Sequence, residues 1–481
     1  MFPSNLPLLP LILDDVPWGL RQMLVQEGIP AVSRDRRGVH GRFLLFDSRN
    51  GPCRRPLPSQ TAIDVNRLRT GFDSDPFVEW NDSQTSRFQW RVRGLTPTEE
   101  VCRVDKRKLR RLLMARLRRM VERRGGVWLG ISPYPFPYRS AFNLRIDYDQ
   151  YDASDFDRLH KALEERQDAV SHFVNGAAYE SQGEALARLF GLDVGSHGYR
   201  HHTYQTFEEN LRNVARGIQV LEEARLVPVG FSAPHGRFNK TLLAALEQLE
   251  VSHSSEFAAA YDELPFLPVG SGVLQIPVHP VCLGIFLEAA RAGDRHDDKA
   301  AAAATAAHFR SVIRAKYAAR EPIFLYGHPT GRLGRYPQVL ESIFGEIDGR
   351  SDVWRVTMSK WAAWWHARSR LRITVTREGD YLVVDAGHDR PEFRLGIEYH
   401  RKNKVARLPL DRNTLRILPE SIPYESTAEQ SPFQPVRVDQ THGLRGRVRR
   451  WIDWERETPI DEIAPTNWRN LAKRTLRTLW P

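Results

Sequence analysis

Six short apolar runs between residues 141 and 328 limit what this chain can fold into more than any other feature. AFNLRID, AVSHFVNG, LDVGSHG, PVGFSAP, VLQIPVH and PIFLYGH are separated mostly by stretches with helical spacing. Strands alternating with helices imply an α/β domain with a parallel sheet, open or closed into a barrel. Two helix starts are explicit. Thr206 and Glu209 form a capping box ahead of Phe207, Leu211, Val214, Ile218 and Leu221 at helical spacing. Pro337 stands in the first turn of a later helix.

In such a sheet the carboxyl ends of all strands open onto one rim, so polar residues there converge across long sequence distances. The residues in question are Asp147 and Asp149, then His197, His201 and His202, then His279 and His328. Asp147 and Asp149 are two apart and share one side of an extended chain. His197 and His201 are four apart, which in a helical turn puts both imidazoles on one face. They are either a packed polar patch or a metal pair. Two imidazoles and one carboxylate with open positions make a hydrolytic metal site, commonly zinc, and the second carboxylate is left to act as a base. His202 would point about 100° away in a helical turn, toward a supporting or surface role.

RIDYD, GSHGYRHH, FSAPHGR and FLYGHP, in that order and with SHFVNG between the first two, resemble the motifs of the polysaccharide deacetylase family (NodB-like, carbohydrate esterase 4). The resemblance covers about residues 139–347, a little under half the chain. It implies an irregular (β/α) barrel of the NodB-like type. It implies removal of an acetyl group from an N-acetylated sugar with one divalent ion, zinc first, with cobalt, manganese or nickel as alternatives. Position by position, Asp147 matches the general base, His197 and His201 the metal ligands, and His328 the general acid. Pro234 and Gly236 match the loop beside the metal, with the His235 backbone N–H as oxyanion donor.

The sequence also departs from the family. Tyr148 separates two aspartates that are usually adjacent, so Asp149 takes the place of the metal ligand. Ser232 stands where a loop arginine usually orients the base, with Arg237 or Arg145 as replacements. No Asp-x-x-Trp supports the acid histidine; SHSSEF occupies that stretch, and His279 is the substitute expected.

A length of 481 residues implies two or three domains. The organisation expected is an N-terminal α/β region over 1–130, the deacetylase-like domain over 131–368, a small antiparallel β appendage over 369–420, and a basic tail with an amphipathic helix over 421–481. LRITVTREGDYLVVDAG reads as a hairpin around Glu-Gly-Asp. The net charge of +11 is local: residues 103–124 hold eleven Lys/Arg against two acids, with Leu109, Leu112, Leu113, Met120 and Val121 on one helical face. In the tail, Trp468, Leu471, Ala472, Leu476, Leu479 and Trp480 oppose Arg469, Lys473, Arg474 and Arg477. Either segment docks on the protein itself or meets an anionic membrane surface. No recognised nucleic-acid motif accompanies the basic helix, so no nucleic-acid partner is expected.

Cys53, Cys102 and Cys282 are far apart and fit a reducing compartment. The apolar start LPLLPLIL reads as a buried strand rather than a signal peptide. Together these suggest a cytoplasmic protein, peripheral at the inner face of the membrane if the basic segments bind there. A nucleotide-linked, lipid-linked or oligosaccharide precursor in bacterial-type surface-glycan metabolism is then the expected substrate. The competing reading is a catalytically inactive deacetylase-fold module that binds glycan or membrane.

Overall fold

The computed structural model describes residues 6–53, 56–72, 77, 85–89, 98–102, 106–256, 264–293, 297–387, 392–402, 404–426 and 436–439. The chain divides into two compact units. One comprises Met1–Glu79, Asp105–Arg139 and Ala363–Glu429; the other comprises Trp80–Val104, Ser140–Ala362 and Gln430–Pro481.

The second unit is built on a curled parallel sheet. Its strands run in the order Leu274–Gln275, His253–Ser254, Gly230–Phe231, Val194–Ser196, Val170–Val174, Ser140–Tyr148 and Ile323–Gly327. Val353–Arg355 adds to the start of Ser140–Tyr148. Beyond Gln275 the chain returns to Ile323–Gly327 at one point, where the His279 N–H donates to the Phe324 carbonyl at 2.7 Å. Pro277 and Pro280 flank this contact and have no N–H to extend a ladder. The barrel is therefore irregular, closed by a seam rather than by paired strands.

All nine residues of Ser140–Tyr148 are buried, so both faces of the strand are covered. Phe142 packs edge-on against Phe344 of the helix Pro337–Asp348, and Tyr148 packs on Phe156 of the helix Ala153–Leu163. Alternation then sends Asn143, Arg145 and Asp147 the other way. Arg145 reaches across to the Ser255 hydroxyl at 3.0 Å. The helix Phe207–Glu223 starts as its capping box requires: Thr206 Oγ1 accepts from the Glu209 N–H at 3.3 Å and donates to Glu209 Oε2 at 2.9 Å.

In the first unit, four parallel strands run in the order Ala31–Ser33, Leu11–Asp14, Phe43–Phe46 and Thr61–Asp64. Leu11–Asp14, from the apolar start of the chain, is fully buried. Trp128–Ile131 pairs antiparallel with Gly396–Arg401, which pairs with Lys404–Pro409. The hairpin Thr374–Glu378/Tyr381–Asp385 turns through Gly379, whose φ of +59° suits a glycine. Arg368 is buried and donates to the carbonyls of Val25, Gln26, Ile131 and Ser132; burial lowers its pKa to about 10.

The basic helix, Lys106–Glu122, does not bury the expected face. Leu113, Met114, Leu117 and Val121 are buried together with Lys106, Arg107 and Arg110, while Leu112 is exposed. Arg110 pairs with Glu27, which draws an arginine onto the buried side and rotates the seam away from Leu109 and Leu112.

A further antiparallel sheet joins Thr85–Gln89 to Thr98–Cys102 and to Val436–Asp439. The tail helix expected around Trp468–Trp480 lies outside the described residues. Among the described residues no helix is long and apolar enough to cross a membrane.

Candidate metal centre and active site

Asp149 follows directly on the strand Ser140–Tyr148 and is the centre of the rim. Its Oδ1 lies 3.2 Å from His197 Nε2 and 3.3 Å from His201 Nε2, and its Oδ2 lies 3.4 Å from His328 Nε2. Burial alone would raise the Asp149 carboxyl. The facing histidines, His328 first and then His197 and His201, outweigh that when they are protonated and hold it well below the usual carboxylate range.

The two metal-type histidines meet by a different route from the one their spacing suggests. Residues 197–201 are not helical; Gly198 takes a φ of +77° and turns the chain. Asn213 of the helix Phe207–Glu223 holds the loop, donating to the carbonyls of Arg200 and His202 at 3.1 Å each and accepting from the Arg200 N–H at 2.7 Å. That helix comes close because Gly217 faces the loop: a Cβ there would sit 2.7 Å from the Gly198 carbonyl carbon. His202 turns away and packs edge-on against Tyr204, with ring centroids 4.8 Å apart.

The donor chemistry tests whether a cation fits. His197 Nδ1 is 2.7 Å from the Ser232 carbonyl, which can only accept, so the ring hydrogen is on Nδ1. The Nε2 of the neutral ring is then a lone pair facing a carboxylate oxygen at 3.2 Å. Two lone pairs so placed need a positive charge between them. One ligand atom from each of Asp149, His197 and His201 lies within 4.8 Å of the others, as one small ion requires. The group fits a divalent cation.

Asp147 is buried beside this cluster. Its Oδ2 accepts from Arg145 Nη2 at 2.8 Å, and its Oδ1 is 3.4 Å from the Ser232 hydroxyl. Of the two arginines weighed as replacements at Ser232, Arg145 is therefore the one on the carboxylate. It comes from the same strand, two residues away, and stacks on the Tyr326 ring at 4.7 Å. Ser232 contributes its hydroxyl to Asp147 and its carbonyl to His197.

Pro234 and Gly236 are buried in a short turn, where His235 and Gly236 take φ of +57° and +61°. The His235 ring packs edge-on against His201 at 4.4 Å. The carbonyl of Arg237 accepts from Thr203 Oγ1 at 3.1 Å, which ties this turn to the histidine loop.

The His279 ring packs edge-on against Phe309 at 6.1 Å, and its backbone N–H donates to the Phe324 carbonyl at the seam. The groups behind His328 are Cys282 Sγ at 3.4 Å and Arg332 Nη1 at 2.9 Å, both on Nδ1. Burial is the main cause that lowers the His328 pKa, and Asp149 opposes it.

Four site residues went unrecognised in the sequence: Glu256, Cys282, Arg332 and Asn213. Glu256 is buried, accepts from the Ser254 hydroxyl and lies near Arg145; burial raises its carboxyl to about 8. A carboxylate at the end of the apolar run around His253 was its only signal. Arg332 follows His328 by four residues, across a glycine, which is a weak one.

Residues 143–253 match the family model described as polysaccharide deacetylase. Among solved structures, a Mycobacterium smegmatis protein named as a polysaccharide deacetylase is 22% identical, covering 51% of this chain and 96% of its own, with a TM-score of 0.44. A Pseudomonas aeruginosa protein also named as a polysaccharide deacetylase is 16% identical, covering 49% and 94%, with a TM-score of 0.42. An allantoinase is 15% identical, covering 49% and 93%, also at 0.42. No curated protein matches the chain. The matched span holds Asp147, Asp149, His197, His201 and Ser232, so the residues around the candidate metal site lie in the part of the chain that is similar to polysaccharide deacetylases.

Proposed function

We propose that the chain is a metal-dependent N-deacetylase that releases acetate from an N-acetylated carbohydrate. One observation carries the reading: His197 Nε2 and His201 Nε2 converge on Asp149 Oδ1, with a second, arginine-bound carboxylate beside them. Asp149, His197 and His201 would hold one divalent ion, zinc by the nature of the donors. Bound there, it would supply Lewis acidity toward an acyl carbonyl and toward water.

The chain's own residues supply the rest. Arg145 fixes Asp147 through Oδ2 and leaves Oδ1, in a long contact with the Ser232 hydroxyl, to take the proton of the attacking water. His328 turns Nε2 to the same space and is the donor on the leaving-amine side. The His235 N–H, in a turn held at positive φ, is placed to receive the developing oxyanion.

Acetate release from a panel of N-acetylated sugars, free, nucleotide-linked and lipid-linked, tests the proposal. The zinc-loaded full chain should release acetate from at least one, and Asp147→Asn should not. A metal-loaded, folded chain that releases none from the whole panel would support the inactive binding module instead.

A further inference from the structure

What stands behind each site histidine differs. His197 gives its Nδ1 hydrogen to the Ser232 carbonyl, whereas His328 Nδ1 faces Arg332 Nη1 at 2.9 Å. A guanidinium carries donors only, so in this pair the imidazole nitrogen accepts. The hydrogen of the ring then sits on Nε2, the nitrogen 3.4 Å from Asp149 Oδ2. Asp149 thus meets a lone pair from His197 on one oxygen and a hydrogen from His328 on the other. The backing group sorts a ligand from a donor.

We propose that Arg332 is a positioning residue for His328, holding its hydrogen on Nε2 and so making His328 a hydrogen-bond donor to the reacting acyl or amine group instead of a fourth metal ligand. The proposal deepens the deacetylase reading and rests on it for the identity of the reacting group.

The surroundings of Arg332 are built for this. Its Nε donates to Glu288 Oε1 at 2.7 Å, which leaves Nη1 for His328. Its stem crosses the helix Leu283–Gly293 at Gly284, where a Cβ would sit 2.4 Å from Arg332 Cδ. The turn before it is fixed at Gly331, with φ of +68° and an N–H donated to Asp155 Oδ2 at 2.6 Å. A guanidinium with one nitrogen on a carboxylate and another on an imidazole has little freedom to rotate.

Nitrogen NMR of the full chain labelled with ¹⁵N-histidine reads the tautomer directly, with and without zinc. In the wild type His328 should carry its hydrogen on Nε2, with Nδ1 a bare acceptor. In Arg332→Met a form with the hydrogen on Nδ1 should appear, and kcat for acetate release should fall at least about tenfold with little change in KM. Arg332→Lys should recover part of the loss. Glu288→Gln, at an exposed position, should move both readouts the same way by less, and it serves if Arg332→Met does not fold. A wild-type His328 with its hydrogen on Nδ1, or an Arg332→Met protein with unchanged tautomer and kcat, would overturn the proposal. A wild type that releases no acetate fails the deacetylase reading alone, since the NMR result stands without a substrate.

Discussion

Replacing Glu256 by glutamine should flatten the dependence of stability on pH in the alkaline half of the neutral range. Glu256 is 3% exposed, and desolvation, the largest influence on it, raises its carboxyl from 4.5 to about 8; the Ser254 hydroxyl and Arg145 pull the other way. Between those two values the folded chain keeps a proton that the unfolded chain releases. Stability must therefore fall as pH rises through that window. A carboxyl that titrates one pH unit higher in the folded chain than in the unfolded one is worth about 1.4 kcal/mol, so the whole window is worth up to about 5 kcal/mol. Two other buried groups act in the opposite sense at lower pH. His160 and His172, lowered by burial to about 4 and about 3, remove stability as pH falls below 6.5.

The clean interval is thus pH 6.5 to 8, in chelator so that metal does not contribute. Urea unfolding of wild type should lose on the order of 1 kcal/mol per pH unit there. Glu256→Gln, of the same size and unable to ionise, should lose less and be the more stable protein at pH 8. Parallel slopes for the two proteins would refute the assignment of a protonated Glu256.

His197→Ala and His201→Ala should each lose most bound zinc, measured by metal analysis after dialysis, while His202→Ala, whose ring packs on Tyr204, should keep it. Asp147→Asn should keep zinc and lose turnover by about a hundredfold or more in the acetate assay. Gly217→Ala would place a Cβ 2.7–2.8 Å from Gly198, Ser196 and Tyr199 atoms; it should cost about 1–3 kcal/mol in urea unfolding and weaken zinc affinity by displacing the histidine loop.

The sequence makes the parallel domain and its rim readable because both depend on local pattern. Apolar runs ending in Asp147, His197 and His328 need only strand direction to converge. Spacing was a poorer guide where glycine intervenes: His197 and His201 meet through a turn at Gly198, not a helical face. Contacts that depend on how the barrel closes were not legible. Cys282 and Arg332 stand behind His328, and His279 bonds the seam at Phe324 through its backbone N–H. Arg145 was one of two candidates for the carboxylate, and only the curl of the sheet separates them. The basic helix misled in another way, since leucines define a face only when no arginine has a buried partner such as Glu27.

The residue between the two aspartates has a consequence for how the site can fail. Tyr148 is fully buried, and its hydroxyl bonds His172 Nδ1 at 2.8 Å and His160 Nε2 at 3.1 Å, with His172 Nε2 continuing to Gln167 Oε1 at 2.8 Å. Asp147 and Asp149 are thereby riveted to the interior by the side chain that parts them. A slip of one residue would expel an aromatic ring from the core and drive a carboxylate into it. The strand end cannot fray by itself as an active-site loop does. Its amides should resist hydrogen exchange as strongly as the middle of Ser140–Tyr148, so that this side of the site opens only when the sheet itself comes apart.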